Sequence, residues 1–326
     1  MKRVSIYLVV FLFANALTAQ TQKPTIKPAD FKRLQELEVL IADLARRAVQ
    51  DTLVNTRLVA NGQMIPLIKE ALTIPNSFNY AFTKIENISI QQPQDGTFRI
   101  LTWQLYINDD EYKYFGYVQL NRPKPPIIEL SDASQNLKDS DKESLSPDRW
   151  FGAVYYNLKE FKTNDGMKYL LFGYNANDKN EKIKLLDVLV LRGGQVRFGS
   201  PVLEVADIQG VRKQKLHRLI LSYSAEATMR LNFDPEMNII IHDHLEQMAS
   251  KTSSLPFTYV PDGTYEAFQL QKDGMWTHVD KLANTEMKTA PRPMPTLNSR
   301  NRPKDAKANA QQVVWPEDAK NRPIKN

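Results

Sequence analysis

The sequence predicts a mainly β protein, with antiparallel sheets of meander or sandwich type, an N-terminal helical segment and a disordered C-terminal tail. Three observations carry this. Turn dipeptides recur at Asp95-Gly96, Asp165-Gly166, Gly193-Gly194, Asp262-Gly263 and Asp273-Gly274. Such pairs supply the positive φ that tight turns between twisted strands require. Between them lie alternating or apolar runs rich in aromatic and β-branched residues, the mark of half-buried or buried strands. Before them, Phe31, Leu34, Leu37, Leu40, Ile41, Leu44 and Ala48 recur at steps of three and four, which is one apolar stripe of a helix.

The elements follow in order. Lys2 and Arg3, the apolar run Val4 to Phe13, and the small residues Ala14, Ala16 and Ala19 form the three-part layout of a secretory signal. Cleavage is expected after Ala19, or nearer Ala16. No later run reaches 18 apolar residues, so no transmembrane span is expected. Residues 20–80 are read as the helical segment, with Asp30 capping a helix to Gln50 and a second helix from Ile65 to Leu72. Pro66 suits a first helical turn, and Pro75 stops that helix.

Residues 81–130 are read as a first antiparallel β subdomain, with strands at 83–91, 99–107 and 112–121. The Ser-, Asp- and Lys-rich stretch 131–148 reads as a linker. Residues 149–283 are read as a second β subdomain, with strands at 150–160, 167–175, 183–191, 217–224, 228–234, 237–243, 264–270 and 275–280. Ile183 to Leu191 is apolar on both faces, as in a strand covered on both sides. The tail 284–326 is rich in Pro, Lys, Arg and Asn and too poor in apolar side chains to order itself.

Charge is unevenly placed. The chain carries 43 Lys and Arg against 37 Asp and Glu, a net +6. Two of the cations are Lys2 and Arg3, and the tail holds nine against four acids, so residues 20–283 come to −1. A nucleic-acid-binding body carries its own basic excess, and none is present, so no nucleic-acid partner is expected. The basic tail is instead suited to an acidic envelope protein partner.

The chain has no cysteine. Disulfides, thiolate metal sites and cysteine nucleophiles are thereby excluded. Gly-x-Ser-x-Gly and Ser-x-x-Lys signatures are missing, as is a phosphate-binding glycine loop. No cofactor is expected from motifs.

Segments WFGAVYYNL (150–158), YLLFGYNAND (169–178), FGSPVL (198–203), YSAEATMRLNFD (223–234), HDHLE (242–246) and VPDGTYEAF (260–268) resemble a family of exported Bacteroidota envelope proteins. The resemblance implies a Gram-negative periplasmic, outer-membrane-associated or secreted location and implies no activity.

Two constellations stand out. His242 and His244 project to one side of an extended chain, and Glu246 follows, so the three make a candidate metal site. The alternative is a strand end whose polar side chains hydrogen-bond a turn, and an i, i+2 pair alone favours that alternative. Tyr106, Phe115 and Tyr117 fall on the parity opposite Trp103 and Leu105 and opposite Tyr114 and Val118. If exposed, they form a flat platform for sugar rings or a partner protein; otherwise they pack under the 31–49 helix. Asp139, Asp141 and Glu143 alternate as in a calcium loop but lack its glycine and its final Glu, where Trp150 stands. The leading expectation is a non-enzymatic accessory, scaffold or binding protein of the envelope; the alternative is a hydrolase or carbohydrate-binding protein whose site is assembled from distant residues.

Overall fold

Helix α1 (Pro28–Gln50) starts two residues before the expected cap, because Pro28 is preorganised for a first turn and Asp30 then faces the helix N-terminus. The computed structural model describes residues 25–206, 213–250 and 256–279. The expected signal peptide and tail lie outside the described residues. The expected stripe is narrower than the spacing implied: Leu34, Leu37, Ile41, Ala45 and Ala48 are buried, whereas Phe31 and Leu40 are exposed.

Helix α2 (Val54–Thr73) begins eleven residues before the expected Ile65 and carries Pro66 in its interior. Proline deletes one N–H and crowds the carbonyl four residues back. Here that carbonyl belongs to Gly62, and both Gly62 and Pro66 are exposed, so the helix carries the interruption on its solvent side. Packing of Ala60, Met64, Ile68 and Leu72 against α1 outweighs the local cost. Arg57 ties the hairpin to the sheet below, donating from Nη1 to the carbonyls of Asp51 (2.7 Å) and Thr52 (3.0 Å) and from Nε to Tyr106 (2.9 Å).

The rest is mainly β, as expected. A four-stranded antiparallel sheet has the order β1 (Ser89–Gln91), β2 (Phe98–Asn108), β3 (Glu111–Leu120), β4 (Ile127–Ser131). Next come β5 (Val154–Thr163), β6 (Gly166–Asn175), β7 (Glu181–Arg192), β8 (Gln195–Phe198), β9 (Leu203–Ala206), β10 (Lys213–Leu216), β11 (Leu219–Ser224), β12 (Leu231–Asp234), β13 (Ile239–Ala249), β14 (Phe257–Leu270) and β15 (Trp276–Val279). A five-stranded sheet has the order β11-β7-β6-β5, with β8 also on β7, and a six-stranded sheet the order β10-β9-β15-β14-β13-β12. β15 runs parallel to β9 and antiparallel to β14.

The strands alternate faces, and the alternation builds layers. Leu101, Trp103 and Tyr117 pack under the helices with Leu37, Ile41 and Met64. Ile100, Tyr114 and Val118, on the other face of the same sheet, join Trp150, Tyr155, Leu171 and Leu185. Leu170, Phe172, Leu186 and Val188 then face Leu203, Leu231, Ile240, Phe268 and Trp276 of the six-stranded sheet. The order is therefore helices, four strands, five strands, six strands, and β7 is covered on both faces as its apolar run predicted.

The stretch 131–148 does more than link. It carries short 3-10 turns at 134–136, 140–142 and 147–149, and buries Leu145 and Ser140. Arg218, fully buried, donates to the carbonyls of Ser140, Glu143 (3.1 Å) and Phe198 (2.9 Å) and pairs through Nε with Asp187 Oδ1 at 3.2 Å. The second Asp187 oxygen accepts from Tyr155 Oη at 3.2 Å, and Tyr155 in turn accepts from Trp150 Nε1 at 2.9 Å. Main-chain carbonyls neutralise polar composition from within, which is why the segment packs.

Candidate metal centre

Three of the four histidines gather around one carboxylate. Antiparallel pairing of β13 with β14 sets His242 opposite Glu266, and pairing of β14 with β15 sets Phe268 opposite His278. Period-two alternation then brings His242, Glu266 and His278 to one face of the six-stranded sheet, at the margin of the core that holds Ile240 and Phe268. The His242 and His278 rings stack on each other with centroids 6.3 Å apart, and both lie tilted beside Phe268, 5.9 and 5.2 Å from its ring.

The distances are those of a ligand set. His278 Nε2 lies 3.0 Å from Glu266 Oε2, and His242 Nε2 lies 3.6 Å from the same oxygen. Ligand atoms about 2.0–2.1 Å from a tetrahedral zinc are about 3.4 Å from one another. Among the described residues, His242, Glu266 and His278 are the group of three whose ligand atoms all lie within 4.8 Å of one another.

Tautomers sharpen the point. His242 Nδ1 is 3.0 Å from the carbonyl oxygen of Asp243. A carbonyl only accepts, so Nδ1 carries the proton and Nε2 of the neutral ring presents a lone pair. That Nε2 is buried and makes no hydrogen bond, and what it faces is a carboxylate oxygen. Burial holds the His242 imidazole below its ordinary pKa, which keeps it neutral. A lone pair and a carboxylate pointed at each other repel, and a cation between them converts the repulsion into two bonds. Burial pushes the Glu266 carboxyl up, but the hydrogen bond from His278 and the neighbouring imidazoles outweigh it and leave the carboxyl below its usual value.

His244 completes the surround from the other oxygen. Its Nε2 is 3.6 Å from Glu266 Oε1, and its Nδ1 is 2.9 Å from Asp262 Oδ2. The Asp262 carboxyl is pulled down to about 2, first by the Thr264 amide and hydroxyl it accepts from and then by His244. It is therefore an acceptor, and it fixes the proton of His244 on Nδ1. A carboxylate or carbonyl behind the far ring nitrogen is how metal-binding histidines are held.

Glu246 does not belong to the site. The register between β13 and β14 shifts between Asp243 and Leu245, and beyond it Glu246 pairs with Val260 and is exposed. The cause is Asp262-Gly263, expected as a hairpin turn. It forms a bulge inside β14, with Gly263 at φ +89°, and long β pairing continues past it. Glu266 stands where Glu246 was expected, and His278 joins the cluster from β15. A signal for both was present, since counting from the Asp273-Gly274 turn sets His278 opposite Phe268, two residues from Glu266.

The aromatic platform is corrected as well. Tyr117 is in register with Leu101, and Phe115 with Trp103, on which it stacks at 5.5 Å. Both therefore lie on the helix-covered face, Tyr117 buried and Phe115 partly so. Tyr106 pairs with Tyr112 in the other row, under the Arg57 guanidinium at 4.8 Å. A bulge at the turn end of this hairpin shifts the register by one, which exchanges faces. Tyr117→Ala is expected to cost about 3–5 kcal/mol of unfolding free energy, as other large-to-small aromatic core changes do, and a urea titration checks it.

Asp139, Asp141 and Glu143 make no ion cage: the Asp141 carbonyl accepts from the amide of His217, and Glu143 pairs with Arg149 at 3.3 Å. No family model matches the chain, and neither the curated proteins nor the solved structures give a match.

Proposed function

We propose that the chain is an exported envelope protein that binds one divalent transition-metal ion, with zinc foremost, through His242 Nε2, His278 Nε2 and Glu266. The observation that carries this is the buried, unpartnered Nε2 of His242, fixed as a lone pair and aimed at a carboxylate that a second imidazole already touches. Two imidazoles and a carboxylate suit zinc and its neighbours rather than calcium or magnesium, which take all-oxygen shells. Lys2, Arg3 and the following apolar run support export, and the bulk of the chain then acts as a binding or scaffold body. Among the described residues no helix is long and apolar enough to cross a membrane.

The test is metal content. Full-length protein, purified without a tag or chelator and dialysed against zinc, is expected to retain about one equivalent by elemental analysis, since an all-or-none site of this kind binds stoichiometrically. Protein that retains none, with its strand-dominated circular dichroism intact, overturns the reading.

A further inference from the structure

Beyond the bulge, β13 and β14 leave the sheet. Residues Leu245–Ala249 pair with Phe257–Pro261, but β12 reaches only to His242 and β15 only pairs 267–270. The described residues thus form a two-stranded arm with both edges open, and a two-stranded ribbon alone is marginally stable in water. Met248, Phe257 and Tyr259 are exposed along it. His244 and the Asp262-Gly263-Thr264 bulge form the junction between arm and sheet.

His244 is placed to couple the two. It stands outside the set of His242, Glu266 and His278 whose ligand atoms are mutually within 4.8 Å. Even so, its Nε2 lies 3.6 Å from Glu266 Oε1, while His242 and His278 face Oε2, so one carboxylate joins all three imidazoles. The lone pair already faces inward, because Asp262 holds the other nitrogen. Gly263, with positive φ and open space around it, lets the bulge shift without a clash.

We infer that His244 is the fourth ligand, so that the metal closes a three-histidine, one-glutamate shell and clamps the base of the β13–β14 arm to the sheet. This rests on the metal site proposed above. A shell with four protein ligands leaves no position for a substrate, which makes the site a clamp and not a hydrolytic centre. The metal then decides whether the arm stands rigid or sways.

Two measurements on the full chain test it, with zinc itself as the probe. Zinc-edge X-ray absorption of the wild-type protein is expected to count three imidazoles, falling to two in His244→Gln, with zinc affinity weakened by more than the about 10–100-fold that an outer partner is worth. Amide exchange in peptides covering 245–250 and 256–261 is expected to slow at least about tenfold when zinc is added to wild type, and not to slow in His244→Gln at saturating zinc. Two imidazoles in wild type, or equal slowing in the variant, overturn the inference while leaving the three-ligand site standing. A wild-type protein that holds no zinc overturns both.

Discussion

His242→Ala is expected to abolish stoichiometric zinc binding. His278→Ala should do the same, and Glu246→Ala should leave it unchanged. Removing a direct ligand from a three-ligand set costs more than the about 10–100-fold that an outer partner is worth. The loss has a thermal signature. Zinc at a hundred times its Kd stabilises a protein that binds it only when folded by about 2.7 kcal/mol, and the variants should lose that increment entirely. In the metal-free protein His242→Phe should be neutral or stabilising, because it removes a lone pair held against Glu266 within an apolar margin. A variant less stable without metal and unchanged in its response to zinc would reverse the assignment. Calorimetric scans of both proteins, with and without zinc, decide it.

Asp187→Ala is expected to destabilise the fold by about 3–5 kcal/mol, because it leaves Arg218 buried with its charge uncompensated. The partner change separates charge from packing. Arg218→Met in the Asp187→Ala background should recover part of the loss, since an apolar chain of similar length removes the stranded charge. It will not recover all of it, because the carbonyls of Ser140, Glu143 and Phe198 lose their donor. Urea titration of the two variants measures this, and a cost below about 1 kcal/mol for Asp187→Ala would show the pair to be dispensable.

Much of the fold was legible in local patterns. Gly193-Gly194 sits between β7 and β8, Asp273-Gly274 between β14 and β15, and the two-sided apolarity of β7 matches its burial, whereas β2, read as alternating, is buried on both faces from Phe98 to Trp103. What local pattern did not show is long-range. The short strands β4, β9 and β10 are set by their neighbours, not by their own composition. α2 was hidden because Pro66 and Gly62 weaken its helical signal, and only contact with α1 overrides them. Residues 131–148 looked solvated because what draws them in, Arg218 on the carbonyls of Ser140 and Glu143, comes from 78 positions beyond Ser140.

The site divides along the same line. His242 and His244 were visible as a pair two residues apart. Glu266 and His278 reach His242 only through the registers of two successive hairpins. Asp262-Gly263 has the composition of a turn, and whether it makes a turn or a bulge depends on whether the strands have partners beyond it. Glu246 and the Tyr106, Phe115 and Tyr117 platform failed for one cause: each assumed an unbroken period of two through a bulge.

The position of β15 bears on how the molecule comes into being. It is the last described strand in the chain, yet it lies inside the six-stranded sheet, between β9 and β14. A chain that emerges N-terminus first can therefore build the layers under the helices while the outermost sheet is still in two halves, each with a raw edge. Residues Trp276 to Val279 are the keystone: until they arrive, the cluster around Glu266 lacks His278 as well. A protein cut short before Trp276 would expose both edges and stick to its neighbours, whereas an extension grafted after Val279 would leave the sheet complete.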